Sequence, residues 1–523
     1  MKHAKKLASL LLALVMVLSL ATTAFATNTN AHTITITNEM PGHTYSAYQV
    51  FAGDIQDLNG KKVLTNIVWG TGVDGAAVLA DLVKLDAYKD CKTAEDVADI
   101  LAIFNNDSAG LDAFAKIVGN HLTAVAATST ETKGADKSTY VINVTGDGYY
   151  FVKDTGNIAE HDAATKYILA VRGEDVSVVA KAEVPDIDKF IVNADSANGG
   201  VGKGTAQDVG SVVEFKVTSK VPAMDGYDTY TYIVNDTMSA GLTAVDNDND
   251  GKIDVTITIG GVAYTDFTVA QTGQSFTITF NNFLNQKANA GKDIVITYSA
   301  TINENALTTD KETNTVNLEY SNNPNDNSSK GKTPDKIVYV YDFDIVVDKY
   351  TGDETSGTRL AGAKFVLYKT ENGKKLYYFY NGTDKKVQWV ELADDAAVAA
   401  AVTAGTITQV VTESNGTAKF QGLDSGTYYL HETEAPAGYN LLKEDVQVTI
   451  TATYNTDGTL ASSSATSTNN GQYQQTQKIE NKSGTELPST GGMGTTIFYV
   501  VGSILVLAAV VLLITKKRMG NRA

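Results

Sequence analysis

Short runs that alternate apolar with polar residues, rich in Val, Ile, Thr and Tyr, recur along most of this chain. They include HTITITN from His32, STYVINV from Ser138, GYYFVKD from Gly148, VVEFKVTS from Val212, SFTITFNN from Ser275, DIVITYSATI from Asp293, GAKFVLYK from Gly362 and VQVTITATY from Val446. A period of two commits each run to a strand with one face buried, and the Gly, Asn and Asp residues between them supply the turns. The pattern predicts a mainly β protein built of antiparallel sandwiches.

Two stretches break the period. Between Ala76 and Leu122, AAVLADLVKLDAYKD and AEDVADILAIF repeat their apolar residues at three and four, which predicts a helical insertion in the first domain. DDAAVAAAVTAG, Asp394 to Gly405, predicts one further helix in the last.

The two ends do not read as part of the fold. MKHAKK followed by an apolar run and Ala24-Phe25-Ala26 predicts a secretory signal peptide over residues 1–26. Residues 497–514 form an uncharged apolar run long enough to span a bilayer, and Lys516, Lys517, Arg518 and Arg522 behind it place the C-terminus in the cytoplasm. Seven of the 42 basic residues and none of the 60 acidic ones lie in these ends, so the exported portion carries a formal charge of −25. That charge argues against nucleic acid as a partner. With Cys91 the only cysteine, an intramolecular disulfide is excluded, and any covalent staple must be of another kind.

PDIDKFIV, Pro185 to Val192, and FDIVVDKYTG, Phe343 to Gly352, each place an Asp-Lys pair in an apolar strand after a loop. This echo sets the domains at 27–183, 184–338 and 339–484, with a tail from 485 to 523.

Applied to the echo, the period of two puts lysines where core residues belong. Lys189 is in phase with Ile187 and Ile191, and Lys349 with Ile345 and Val347. Asn314 is in phase with Val316, Leu318 and Tyr320, and Asn481 with Ile479. Between them Asp236 follows Tyr232 and Val234, and Glu432 follows Tyr428 and Leu430. Each of the last two domains thus holds one inward Lys, one inward acid and one inward Asn. Satisfied buried polar groups are the bland explanation for any one of these residues, but a lysine is rarely buried unpaired and the triple occurs twice. Amide formation within the chain uses all three: burial makes the lysine a neutral nucleophile and keeps the acid protonated to polarise the carboxamide. Ammonia leaves and a Lys–Asn isopeptide bond remains.

The residues Tyr428-x-Leu430-x-Glu432-Thr433-x-Ala435-Pro436-x-Gly438-Tyr439 resemble the E-box of Gram-positive pilins. The surrounding domain resembles the collagen-adhesin B-type immunoglobulin-like fold. LAGAKFVLYK from Leu360 and YSNNPN from Tyr320 are similar to backbone pilin sequences of the same class. The resemblance implies that Glu432 promotes a bond between Lys349 and Asn481, and Asp236 one between Lys189 and Asn314.

LPSTG, Leu487-Pro488-Ser489-Thr490-Gly491, followed by the apolar span and basic end, resembles the sortase sorting signal. It implies cleavage between Thr490 and Gly491 through a thioester, resolved by an amine. In backbone pilins that amine is a lysine after Tyr-Pro at the close of the first domain. Here VSVVAK ends on Lys181, with Val179-Ala180 in place of Tyr-Pro, and Lys181 is the implied acceptor.

Asp246, Asp248 and Asp250 precede Gly251, with Asp254 beyond, like the start of an EF-type calcium loop. Ile257 stands where its twelfth-position Glu would be, so the stretch reads equally as a polar hairpin turn. No other cofactor is implied. The six histidines have no metal-ligand spacing, and Cys91 reads as a helix residue that could join two chains.

The sequence therefore predicts the shaft subunit of a covalent, wall-anchored pilus supporting adhesion, and not a turnover enzyme. Its expected partners are pilin-class and housekeeping sortases, identical subunits head to tail, minor pilins, peptidoglycan and a host or matrix ligand. The alternative is an anchored monomeric adhesin or minor pilin, for which Lys181 is dispensable.

Overall fold

The computed structural model describes residues 31–104, 109–172, 175–180, 183–196, 201–468, 471–484 and 493–520. The signal-peptide segment, Lys181 and the LPSTG motif lie outside the described residues.

In the first domain, strand Ala31–Asn38 buries Ile34 and Ile36 while Thr33 and Thr35 stay partly open, as alternation requires. It lies between Ser138–Thr145 and Val176–Val179, with Thr130–Lys133 at the far edge. The facing sheet runs in the order Lys61–Trp69, Tyr45–Leu58, Gly148–Asp154, Ile168–Arg172. There the alternation fails, for every residue of Gly148–Asp154 except Lys153 is buried. A strand reads this way when both of its faces are covered. Tyr150 and Val152 join Ile34 and Ile142 inside the sandwich, whereas Tyr149 and Phe151 pack outward with Val78, Val97 and Phe114. Those partners belong to the helical insert, Gly75–Leu82, Ala94–Leu101 and Ala109–Asn120, which covers the sheet's outer face. Thr93 starts the second helix with a reciprocal cap, accepting the Asp96 N–H while the Asp96 carboxylate accepts its own.

The middle domain stacks two sheets. One runs Val201–Gly202, Ile187–Val192, Val212–Lys220, Asp293–Ile302, Thr256–Ile259, Val262–Ala263. The other runs Gly204–Ala206, Lys336–Tyr341, Glu312–Ser321, Tyr232–Met238, Ser275–Phe280, Phe267–Thr272. Lys336–Tyr341 crosses residue 338, and the first strand of the third domain, Phe343–Thr351, begins two residues later.

The third domain packs the sheet containing Phe343–Thr351, Tyr473–Glu480 and Thr417–Leu423 against one ordered Lys386–Glu391, Lys374–Asn381, Lys364–Glu371, Gly426–Glu434, Val446–Ile450. Its helix, Asp395–Ala404, starts where Asp394 accepts the Ala397 N–H and stops at Gly405, whose φ of +68° suits glycine.

The expectation of antiparallel sandwiches needs one correction. Each domain closes on a parallel pair: Ala31–Asn38 with Val176–Val179, Gly204–Ala206 with Lys336–Tyr341, and Phe343–Thr351 with Tyr473–Glu480. Parallel pairing of an early strand with a late one lets the chain enter a domain at one pole and leave at the other. Three such domains therefore thread end to end.

Backbone contacts join them. Ala164 N–H donates to Asn322 O at 2.7 Å and Lys332 N–H to Glu160 O at 2.7 Å, docking the end of the first domain onto the second. Val209 N–H donates to Gly422 O at 2.9 Å, and the middle and third domains share one continuous apolar core. At the far end, helix Met493–Gly520 carries the apolar stretch Ile497–Lys517, with a mean hydropathy of 3.0.

Candidate bond-forming sites

The middle site forms where the two sheets face each other. Lys189 points in from Ile187–Val192 and Tyr298 from Asp293–Ile302, in one sheet. Asp236, from Tyr232–Met238, and Asn314, from Glu312–Ser321, come from the other. All four are buried, Lys189 and Asn314 completely. Lys189 Nζ donates to Asn314 Oδ1 at 2.5 Å, to Asp236 Oδ2 at 2.6 Å and to the Tyr298 hydroxyl at 2.5 Å. The Tyr298 hydroxyl donates to Asp236 Oδ2 at 2.5 Å and accepts from Asn314 Nδ2 at 3.1 Å. The Phe215 ring, with its centroid 5.5 Å from Nζ, helps keep the site dry.

Burial sets the protonation states. It lowers the Lys189 ammonium to about 8 although Asp236 pulls the other way, and it raises the Asp236 carboxyl against the pull of the lysine. Both shifts favour the neutral amine beside the neutral acid. The amine is then a nucleophile and the acid a hydrogen-bond donor to a carboxamide.

The third site is arranged differently. Lys349 and Asn481 belong to one sheet, since Phe343–Thr351 and Tyr473–Glu480 are direct neighbours, and Glu432 reaches them from the opposite sheet. Lys349 Nζ lies 3.1 Å from Glu432 Oε1. Asn481 Nδ2 donates to Glu432 Oε2 at 3.3 Å and to the Asn440 carbonyl at 2.6 Å, and the Leu442 N–H donates to Glu432 Oε2 at 2.9 Å. Burial lowers the Lys349 ammonium, opposed by Glu432.

Some buried polar atoms at these sites lack a hydrogen-bond partner, one at the middle site and three at the third. Of nine such side-chain atoms among the described residues, four are Asp236 Oδ1, Lys349 Nζ, Glu432 Oε1 and Asn481 Oδ1. Lys349 Nζ and Glu432 Oε1 pair as ions at 3.1 Å, so the atoms left with neither a hydrogen bond nor an ion pair are Asp236 Oδ1 and Asn481 Oδ1, each at a cost of roughly 1–3 kcal/mol.

The structure adds residues that the sequence reading missed. Tyr298 is one; its signal was an inward tyrosine in phase with Ile294 and Ile296, whose hydroxyl needs a partner once buried. Asn440 is another, contributing only its carbonyl, which no side-chain pattern reveals. In the first domain, which has no buried lysine among its described residues, His43 sits between two buried carboxylates, 2.6 Å from Asp154 and 2.9 Å from Asp162.

The acidic loop is only partly convergent. Asp246, Asp248 and Asp254 can bring one oxygen each within 4.8 Å of one another, while Asp250 turns away to pair with Lys252 at 3.4 Å. Loop N–H groups already occupy the cluster, Gly251 donating to Asp246 and Asn247 to Asp254. Cys91 is 9 % exposed in the core of the insert, which takes it out of reach of a second chain.

Three family models match the chain. A Gram-positive pilin backbone subunit 2, Cna-B-like domain matches residues 209–324, a SpaA prealbumin-like fold domain residues 345–464, and an LPXTG cell wall anchor motif residues 479–519. The trypsin-resistant surface T6 protein of Streptococcus pyogenes is 25 % identical over 424 residues, covering 65 % of this chain and 70 % of that protein. Fimbrial subunit type 2 of Actinomyces naeslundii is 26 % identical over 300 residues, which is 51 % of this chain and 50 % of the relative. Among solved structures, the T6 backbone pilin of serotype M6 Streptococcus pyogenes aligns over 80 % of each chain at 20 % identity, with a TM-score of 0.49.

Proposed function

We propose that this chain, a wall-anchored backbone pilin of the Gram-positive type, is joined into a shaft by sortase and hardened by two isopeptide bonds of its own making. In the middle domain Lys189 Nζ attacks Asn314 Cγ with Asp236 as promoter. In the third, Lys349 attacks Asn481 with Glu432 as promoter. Each reaction makes one C–N bond, breaks the bond from Cγ to Nδ2 and releases one ammonia. A lysine, an acid and an asparagine buried against one another in each of the two domains are the observation that carries this reading. Proximity removes most of the remaining barrier, because both partners are fixed by the sandwich before they react. Each bond forms once in its own chain, so the protein is a substrate of sortase and not a turnover enzyme.

Polymerisation follows from the tail. Sortase cuts Thr490 from Gly491, holds the Thr490 carbonyl as a thioester and passes it to Lys181 of the next subunit. Pilin-class sortase performs the joining, and the housekeeping enzyme transfers the finished fibre to peptidoglycan, with minor pilins and a host or matrix ligand as further partners. No cofactor enters this chemistry; calcium held by Asp246, Asp248 and Asp254 would brace a loop outside both sites.

The test is tandem mass spectrometry on polymer released from the wall. A peptide joining Thr490 to Lys181 supports the shaft reading. Thr490 found only on peptidoglycan amines would make the protein an anchored monomer.

A further inference from the structure

The two proposed bonds do not share one apparatus. In the third domain the carboxamide nitrogen that must leave, Asn481 Nδ2, donates to a backbone carbonyl and to Glu432 itself. In the middle domain the acid and the leaving nitrogen are connected through a side chain. Asp236 Oδ2, the Tyr298 hydroxyl and Asn314 Nδ2 form a chain of hydrogen bonds at 2.5 and 3.1 Å, and the attacking Lys189 Nζ touches both Asp236 Oδ2 and that hydroxyl.

We propose that Tyr298 is a fourth catalytic residue of the middle site, its hydroxyl carrying the proton that turns the departing Asn314 Nδ2 into ammonia. This rests on the Lys189–Asn314 bond proposed above. As Lys189 Nζ bonds to Asn314 Cγ, it yields a proton to Asp236 Oδ2. In the same step the acid's own proton passes from Asp236 to the Tyr298 oxygen, and Tyr298 gives its proton to Nδ2, which becomes an acceptor once Cγ is tetrahedral. The resting hydrogen bonds thereby reverse direction, and the bond from Cγ to Nδ2 breaks. One proton has moved from Nζ to Nδ2, Tyr298 and Asp236 end as they began, and neutral ammonia departs.

The geometry supplies such a relay. A carboxamide nitrogen is a poor leaving group until protonated, and Nδ2 is hydrogen-bonded to the Tyr298 hydroxyl, which in turn is hydrogen-bonded to Asp236 Oδ2. Tyr298 bridges them from the opposite sheet, and burial holds its hydroxyl well above the usual phenol range, so it relays without ionising. In the third domain the ring beside the lysine is Phe365, 5.3 Å from Lys349 Nζ, which cannot relay. There Glu432 meets Asn481 Nδ2 directly and needs no intermediary.

The experiment is pulse-labelled production of the full chain and its Tyr298→Phe variant, with peptide mass spectrometry following both cross-links over time. The ring is kept, so packing against Phe215 and Phe276 survives. The expected result is a Lys189–Asn314 link that forms roughly a hundredfold more slowly in the variant, the low end for loss of a positioned proton donor, while the Lys349–Asn481 link in the same molecules forms at its normal rate. The unaltered chain should also form its middle link more slowly in deuterated buffer, and the variant should show less of this effect, a readout that looser packing would not produce. Equal rates in variant and parent would overturn the role of Tyr298 and leave the bond standing. Absence of the link from the parent chain would overturn both.

Discussion

Lys349 faces Ile479 across parallel neighbouring strands, and two residues on, the Asn481 N–H donates to the Tyr350 carbonyl at 2.9 Å. A bond from Lys349 to Asn481 would therefore lie inside one sheet, tying the strand that enters the third domain to the strand that leaves it. Tension along a fibre loads that parallel pair in shear, and the covalent tie bypasses the hydrogen bonds between them. The middle site differs, because Lys189 and Asn314 lie on opposite sheets and Lys336–Tyr341 still follows the Asn314 strand. Its bond staples the sandwich across its core.

Glu432→Gln should abolish the third-domain bond and leave the middle one intact, so the chain regains the mass of one ammonia. The bond closes a loop of roughly 130 residues, a constraint on the unfolded chain worth about 5 kcal/mol. Thermal unfolding of the variant, followed with trypsin cleavage, should show the third domain opening well before the middle domain. Unchanged mass with unchanged melting would sink the role of Glu432.

An Asn314→Ala chain cannot close the middle bond and leaves Lys189 to titrate. Its folded value, about 8, lies below the unfolded value near 10.5, so the unfolded state holds the extra proton between them. Stability of this variant should rise from pH 8 to 10.5. Asp236, raised by the fold, acts oppositely in acid: its contribution is complete below the unfolded carboxylate value and fades as pH climbs through the folded one. Urea midpoints across the alkaline range check the first effect, and adding Lys189→Met should flatten it.

Cys91 lies in the core of the helical insert, with its thiol raised by burial. Maleimide should label it only after denaturation, and non-reducing gels should show no dimer. Rapid labelling of the native chain would contradict that packing.

Much of this arrangement was legible residue by residue. Lys189, Asp236, Asn314, Lys349, Glu432 and Asn481 stood out because each occupied an apolar phase, and all six are buried. Tyr298 did not, since an inward tyrosine in a strand is ordinary core until its hydroxyl's neighbours are known. The parallel pairs were hidden for another reason: Ile34 meets Val176, and Phe343 meets Tyr473, across separations that no local pattern encodes. Asp250 shares the spacing of its neighbours yet swings to Lys252, because spacing along a turn does not fix where a side chain points.

His43 was illegible too, its partners lying more than a hundred residues away, and it supports the last prediction. Burial alone would lower its imidazole, but hydrogen bonds and charge from Asp154 and Asp162 outweigh that and raise it to about 9. Tyr45 and Tyr140 complete its surroundings, and the backbone of Asp162 accepts from Tyr320 of the middle domain at 3.2 Å. The charged imidazole thus pins the segment on which the second domain docks. Because the folded value exceeds the unfolded one near 6.5, the stabilisation is fully present below pH 6.5 and is lost as pH rises through 9, about 3 kcal/mol in all. Hydrogen exchange on the full chain, corrected for the intrinsic pH dependence, should show residues 160–164 and the Tyr45 strand opening more readily between pH 7 and 9.5. A His43→Gln chain should be less protected at pH 6.5 and lose that dependence. If protection in the parent is flat across this range, the ion cluster does not hold the first domain to the second.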